Sequence, residues 1–142
     1  MNTKKKGNIT EIETMLSFMK YGYSVLTPYG DCDRYDYAID VDGKFYRIQS
    51  KTAVSEDNGD SFCIYCKSSN RISGKRVNKP YTKGEIDYFA TSFKGQNYLI
   101  PVEKAGTSSF RLRINPAKNG QTTGVNWAND YKIETIIESW NR

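Results

Sequence analysis

The dipeptide Asp42-Gly43 constrains the folding of this chain more than any other local feature. It lies between runs of β-branched and aromatic residues, and Asp-Gly is among the strongest signals for a two-residue type I′ turn. A turn of this length fixes the register of its strands, so Val41 pairs with Lys44 and the pairing continues outward. The sequence therefore predicts an antiparallel hairpin over residues 35–51.

The predicted register gathers polar side chains at the open end of this hairpin. Counting outward places Asp36 opposite Gln49, and Lys51 shares their face because side chains alternate along a strand. Opposed residues on one face have Cβ atoms roughly 4.5–5.5 Å apart. Two oxygen donors at that separation suit a hard cation such as Mg²⁺, and a neighbouring ammonium suits phosphate chemistry. The alternative is that all three are ordinary polar residues on a solvated face.

The opposite face of the hairpin is apolar, which predicts that it packs against helices. Its residues are Tyr37, Ile39, Val41, Tyr46 and Ile48.

Asp36 followed by Gln49-Ser50-Lys51 resembles the D…(D/E)-x-K signature of the PD-(D/E)XK nuclease superfamily, with Gln in the second acidic place. The wider pattern resembles the branch that contains group I intron homing endonucleases, whose signature also has Gln before the lysine. The segments that carry this resemblance are 7–11, 22–25, 28–31, 34–36 and 47–52, with a weaker similarity over 81–102.

This resemblance implies an α/β fold, a single restriction-endonuclease-like domain over residues 1–142 with a central mixed β-sheet flanked by α-helices. It also implies a site-specific, homing-type endonuclease that hydrolyses phosphodiester bonds in double-stranded DNA. The implied cofactor is Mg²⁺, with Mn²⁺ as a substitute.

The resemblance assigns a role to each matching residue. Asp36 is the principal metal ligand, and Gln49 offers its side-chain carbonyl oxygen beside the backbone carbonyl of Ser50. Lys51 orients or deprotonates the attacking water and offsets charge on the phosphate. Glu11 binds a second metal or a metal-bound water. The implied catalytic set is therefore Glu11, Asp36, Gln49 and Lys51.

Two other functions remain open at this point. A Holliday-junction resolvase shares this small fold but usually has Glu where Gln49 stands. A DNA-binding protein that has lost catalysis on the same fold is suggested by the missing second carboxylate.

An amphipathic helix is predicted near the start of the chain, with Gly22 as its C-terminal stop. Its apolar residues follow a three-four-three spacing, and we expect them to lie on the sheet. They are Ile9, Ile12, Leu16 and Met19. Asn8 fits an N-cap, which gives Glu11 an alternative role as its partner in a capping box.

The net charge of +5 and the pI near 9.0 suit a polyanionic partner. Basic residues cluster at Lys4-Lys5-Lys6 and in a Gly/Ser/Asn-rich segment over 67–83, which is either a DNA contact or a solvated loop. The residues predicted to bind DNA are Arg71, Lys75, Arg76, Lys79, Lys83, Arg111 and Arg113.

Three cysteines and no histidine cannot supply the four ligands of a structural zinc site. The odd cysteine count suits an intracellular, cytoplasmic protein, and phage or intron encoding fits the resemblance. No apolar run approaches the roughly 20 residues that span a membrane. Cutting both DNA strands requires two active sites, so we expect a homodimer or homotetramer.

Further elements are predicted in the second half of the chain. They are strands over 59–67, 86–92, 97–102 and 110–114, and an amphipathic helix over 129–140.

Overall fold

The structure, a computed structural model, describes residues 1–141 and begins with a long helix followed mainly by strands. The elements in chain order are α1 (Thr3–Lys20), β1 (Ser24–Leu26), β2 (Tyr37–Val41), β3 (Lys44–Ser50), β4 (Val54–Glu56), β5 (Ser61–Tyr65), β6 (Lys67–Ile72), β7 (Lys75–Pro80), β8 (Tyr88–Phe93), β9 (Gln96–Pro101), α2 (Val102–Ala105), β10 (Ser109–Arg113) and α3 (Ile133–Trp140). Short 3-10 helices occupy Asp57–Gly59 and Ala128–Tyr131. None of the described helices is long and apolar enough to cross a membrane.

A five-stranded sheet forms the centre, in the order β1-β2-β3-β8-β9. Strands β3 and β8 are parallel and the other neighbours are antiparallel, so the sheet is mixed. A three-stranded sheet, β10-β5-β4, and the separate hairpin β6–β7 complete the strands. This architecture confirms the expected α/β fold with a central mixed sheet and flanking helices.

The β2–β3 hairpin has the predicted register from Val41–Lys44 to Tyr37–Ile48. Asp42 and Gly43 both have positive φ, 53° and 88°, which is the backbone of a type I′ turn. The ladder ends at Tyr37–Ile48, one residue short of the expected opposition of Asp36 and Gln49.

Both faces of the central sheet are covered. The apolar face of the hairpin packs against Phe18 of α1 and Ile133 and Ile137 of α3, as predicted. The other face packs, through residues such as Phe89 and Ile100, against the three-stranded sheet. The sheet is therefore a rigid support for residues at the ends of its strands.

Helix α1 begins earlier than the sequence suggested. The Asn2 side chain is the N-cap and accepts the Lys5 backbone N–H at 3.0 Å. Asn8 and Glu11 therefore lie inside the helix, and the predicted capping box is wrong. The predicted stop is confirmed, because Gly22 has a φ of 91° and its N–H donates to the Met19 carbonyl at 2.9 Å.

The apolar face predicted to lie on the sheet points the other way. The buried residues of α1 are Thr10, Thr14 and Phe18, whereas Ile9, Ile12, Leu16 and Met19 are exposed. The two threonine hydroxyls can be buried because each donates to a carbonyl of its own helix, and Thr14 also accepts from the Tyr37 hydroxyl at 2.8 Å. Spacing identified the apolar stripe correctly but could not show which side meets the sheet.

Later elements differ from prediction mainly at their ends. The strands predicted over 59–67, 86–92, 97–102 and 110–114 are β5, β8, β9 and β10 with shifted bounds. Helix α3 begins at Ile133, because Ala128–Tyr131 forms a separate 3-10 helix. The basic segment over 67–83 is mostly the β6–β7 hairpin, whose turn residues Ser73 and Gly74 both have positive φ.

Candidate active site

Asp36 lies just before β2, where its side chain meets the end of β3. Its backbone N–H donates to the Ile48 carbonyl, and its carboxylate accepts the Ser50 backbone N–H, both at 2.8 Å. Burial raises the pKa of Asp36, although this hydrogen bond and the charge of Lys51 act to lower it. The carboxylate is thus fixed in position but costly to ionise without a further positive charge.

Glu11 reaches the same site from α1. Burial raises its pKa, and the negative charge of Asp36 raises it further, so the two carboxylates interact across the helix–sheet junction. A divalent cation between such groups offsets both their repulsion and their loss of water.

Gln49 and Ser50 add uncharged oxygens at the end of β3. The Gln49 amide nitrogen is 3.5 Å from the Ser50 carbonyl, a long contact that leaves the amide oxygen available. The buried Ser50 hydroxyl has no hydrogen-bond partner within residues 1–141. Carboxylate, amide and carbonyl oxygens are the ligands Mg²⁺ prefers, so the donor set fits that ion.

An all-acidic or histidine-rich metal cluster is absent from the described part of the chain. No group of three or more His, Cys, Asp and Glu residues there could hold an ion. A metal ion at the end of β3 would therefore need oxygen donors besides carboxylates, such as the Gln49 amide.

Lys51 follows β3 directly and is held from two sides. Its backbone N–H donates to the Ala90 carbonyl at 2.9 Å, and its ammonium donates to the Lys67 carbonyl at 3.1 Å. The pKa of Lys51 is lowered, chiefly by burial, while the charge of Asp36 opposes that shift. A half-buried lysine with a lowered pKa suits proton transfer.

Tyr81 and Arg34 are parts of this site that the motif analysis missed. The Tyr81 ring lies 5.1 Å from the Lys51 ammonium and 4.0 Å from the centre of the Arg34 guanidinium. Arg34 also donates to the carbonyls of Lys79 and Pro80, each at 3.2 Å. Both residues fall in segments that carry the family resemblance, but their spacing gives no sign that they meet.

A groove with a volume of about 650 Å³ adjoins Lys51. It lies between the start of α1 and the strands that follow the site, and Lys6, Thr52, Tyr65 and Phe93 contribute to its lining. The groove gives a large ligand access to the lysine.

The residues predicted to bind DNA fall into two groups. Arg71, Lys75 and Arg76 are exposed at the end of the β6–β7 hairpin and form no ion pair with the residues described. The others are in ion pairs, namely Lys79–Glu85 (3.8 Å), Lys83–Asp87 (3.3 Å), Arg111–Glu56 (2.8 Å) and Arg113–Asp57 (2.9 Å). Among the residues predicted to bind DNA, those at the hairpin end therefore carry the positive charge that is most available to a partner.

Comparisons with known proteins identify the family and the fold. The family model described as PD-(D/E)XK endonuclease matches residues 1–134. The fold is similar to the solved structure of a bacterial homing endonuclease, I-Ssp6803I, with a TM-score of 0.77 and 22% sequence identity over 99% of this chain and 92% of that one. Comparison with curated protein sequences found no match. The extent of the family match shows that this chain belongs to the PD-(D/E)XK endonuclease family.

Proposed function

We propose that this chain is a divalent-metal-dependent endonuclease that hydrolyses phosphodiester bonds in double-stranded DNA at a specific site, as a homing-type enzyme does. The observation that carries this proposal is the Asp36 carboxylate held at the end of β3 by the Ser50 backbone N–H, with Lys51 directly after that strand. The charge of Asp36 also raises the pKa of Glu11, which supports a place for Glu11 in the same site. Two carboxylates and a lysine with a lowered pKa are the parts that metal-assisted hydrolysis of a phosphodiester requires.

The metal would be held by Asp36, the Gln49 amide oxygen and the Ser50 backbone carbonyl, with Glu11 for a second ion or a metal-bound water. Bound Mg²⁺ supplies positive charge at the phosphate and makes water more acidic. The raised pKa values of Glu11 and Asp36 support this assignment, since both shifts mark carboxylates whose charge is not balanced by the surrounding protein.

Lys51 would orient the attacking water and accept its proton. Burial lowers the pKa of Lys51, so a larger fraction of its side chain is the neutral amine at neutral pH than for an exposed lysine. Only the neutral amine can accept a proton. Once protonated, the side chain offsets negative charge that develops on the phosphate. Its hydrogen bond to the Lys67 carbonyl fixes the amine before the substrate arrives.

The β6–β7 hairpin would contact the DNA. A two-stranded ribbon fits the major groove, and Arg71 stands directly opposite Arg76 in this one. Like charges opposite one another destabilise a hairpin, whereas phosphate groups between them relieve the repulsion. Because Lys51 and Arg34 both bond to the base of the hairpin, DNA held there would lie beside the catalytic residues.

Cutting both strands requires two active sites, so the proposed enzyme acts as a homodimer or homotetramer on a palindromic or nearly palindromic target.

The decisive experiment incubates the chain with DNA surrounding its gene's own locus, with Mg²⁺ or with a chelator, and maps the products. We expect one discrete double-strand break that requires the metal. Asp36→Ala and Lys51→Ala should bind this DNA without cutting it, while the control Asp33→Ala, at an exposed aspartate close in sequence, should cut normally.

Other outcomes would identify the alternatives. Cleavage of branched junctions without sequence preference would indicate a resolvase. Tight binding with no cleavage under any metal would indicate a DNA-binding protein that has lost catalysis.

A further inference from the structure

One face of α1 is apolar and exposed, and we call its residues Ile9, Ile12, Leu16 and Met19 the outer stripe. They retain 44%, 64%, 48% and 59% of their surface. At 3.6 residues per turn the stripe lies on the side of the helix opposite Thr10, Thr14 and Phe18, which face the sheet. The helix thus buries two threonines beside Phe18 and leaves four larger apolar residues in water, whereas the apolar side of a helix usually faces the core.

The spacing of the outer stripe indicates what it packs against. Steps of three, four and three residues are those of the a and d positions of a heptad, the narrow seam with which one helix packs on another. A helix that packs on a sheet normally presents a broader apolar face.

We propose that the outer stripe is the surface through which two copies of this chain associate, each packing α1 on α1 of the other. A stripe that meets its own copy is self-complementary, which is what a two-fold symmetric interface requires. Its margins carry both signs of charge, Glu13 with Lys5 and Lys20, so this face lacks the uniform positive charge that would repel a second copy. An apolar surface of this kind is unsuited to DNA, whose exterior is a row of phosphates.

The area of the outer stripe is consistent with the centre of such an interface. Each side-chain carbon has about 30 Å² of accessible surface, and the four side chains are about half exposed. Together they therefore offer roughly 250 Å² of apolar surface per copy. A standard interface buries about 800 Å² per partner, with an apolar centre and a polar rim. The stripe supplies that centre, and the rest of the 18-residue helix, about 27 Å long, supplies much of the rim.

This contact would also join the two active sites. Glu11 lies beside Ile12 on the same helix, so pairing of α1 helices fixes the Glu11 residues of the two copies relative to each other. The inference extends the proposed assembly, but its test uses neither DNA nor metal, so it can fail while the nuclease proposal stands.

The test is sedimentation velocity of the full chain at about 50 µM, a concentration at which even a micromolar interface is largely filled. We expect the wild type to sediment as a dimer or larger assembly and Ile12→Glu to sediment as a monomer. Ile72→Glu is the matched control, because Ile72 is an isoleucine of similar exposure, 60% against 64% for Ile12, but lies at the hairpin end. It should remain associated.

Leu16→Gln is a milder second variant, used in case Ile12→Glu does not fold. The circular dichroism spectrum of each variant should match that of the wild type, which shows that the variant is folded. We expect Leu16→Gln to raise the dissociation constant at least tenfold. A monomeric wild type, or a folded Ile12→Glu that stays associated, would overturn the proposal.

Discussion

The residue at position 49 sets the charge of the candidate metal site. Gln49 contributes an amide where the family signature has an acid, so Glu11 and Asp36 are the two negative charges there. A buried carboxylate costs more than a buried amide. Compared with an acid, Gln49 therefore lowers the electrostatic cost of folding the metal-free protein. It also lowers the affinity of the site for a cation.

Restoring the acid should tighten metal binding. Gln49→Glu adds one negative charge next to the cation. Even at the dielectric of water, a unit charge 4 Å from a divalent ion contributes about 2 kcal/mol, so we expect Mg²⁺ to bind roughly thirtyfold more tightly. Calorimetric titration of the DNA-free protein measures this affinity. Gln121→Glu, at an exposed glutamine, is the control and should leave the affinity unchanged. Equal Mg²⁺ affinities for Gln49→Glu and the wild type would show that Gln49 is not a metal ligand.

Asp36 should make the metal-free protein less stable as pH rises. Because burial raises its pKa above that of the unfolded chain, the native state binds more protons in the interval between the two values. The free energy of unfolding contributed by this group therefore falls as pH rises through that interval.

Asp36→Asn should remove this effect while keeping an oxygen to accept the Ser50 N–H. Without metal at neutral pH, we expect its melting temperature to exceed that of the wild type, because the variant has no partly buried charge at this position. Mg²⁺ should raise the melting temperature of the wild type but not of the variant. Thermal unfolding with and without Mg²⁺ measures both effects, and a metal-free variant less stable than the wild type would contradict the first.

Among the elements, the β6–β7 hairpin joins the proposed DNA contact to the candidate active site. Its outer end carries Arg71, Lys75 and Arg76, and its base accepts hydrogen bonds from Arg34 and Lys51 through the carbonyls at 67, 79 and 80. The two strands of the hairpin therefore connect its exposed basic end to Lys51, which is hydrogen-bonded at its base.

Removing the two opposed arginines should weaken DNA binding in a salt-dependent way. For the double variant Arg71→Gln/Arg76→Gln, we expect the slope of log affinity against log salt to become shallower by about 2, because each lost phosphate contact removes about one counterion. Fluorescence anisotropy across a salt series measures the slope. Arg111→Gln is the comparison, since Glu56 already pairs with Arg111, and its slope should change less. A larger change in slope for Arg111→Gln than for the double variant would indicate that DNA contacts β10 and not the hairpin.

At the scale of the whole molecule, the site lies where α1 crosses the ends of the central strands. The side of α1 toward the sheet carries Glu11, and its opposite side carries the outer stripe. If two copies associate through that stripe, the helix that completes each active site also holds the assembly together.

Separating the copies should therefore change the product as well as the assembly. We expect Ile12→Glu to nick one strand of its target and to form double-strand breaks at least tenfold more slowly than wild type, because the second cut then needs independent binding of another monomer. Gel analysis of a supercoiled plasmid carrying the target separates nicked from linear DNA. Equal rates of linear product from Ile12→Glu and the wild type would show that concerted cutting does not use this face.

Local sequence determined the features that depend on neighbouring residues. The Asp42-Gly43 turn fixed the register of β2 and β3, because a two-residue loop permits one pairing, and that register placed Gln49 and Lys51 at the end of β3. Gly22 ended α1, and alternation along the hairpin identified the buried face. The resemblance that names the motif residues also rests on local sequence, since Asp36, Gln49 and Lys51 all lie within or beside this one hairpin.

Only the tertiary structure decided the features that depend on distant parts of the chain. Periodicity showed that α1 has an apolar stripe but not that Thr10 and Thr14 would meet the sheet, because their hydroxyls are satisfied within the helix itself. Likewise, spacing could not bring Arg34 and Tyr81 to Lys51, since no local rule joins residues from three separate segments. Direction of packing and contacts between distant segments arise from the assembled core, which a local pattern does not encode.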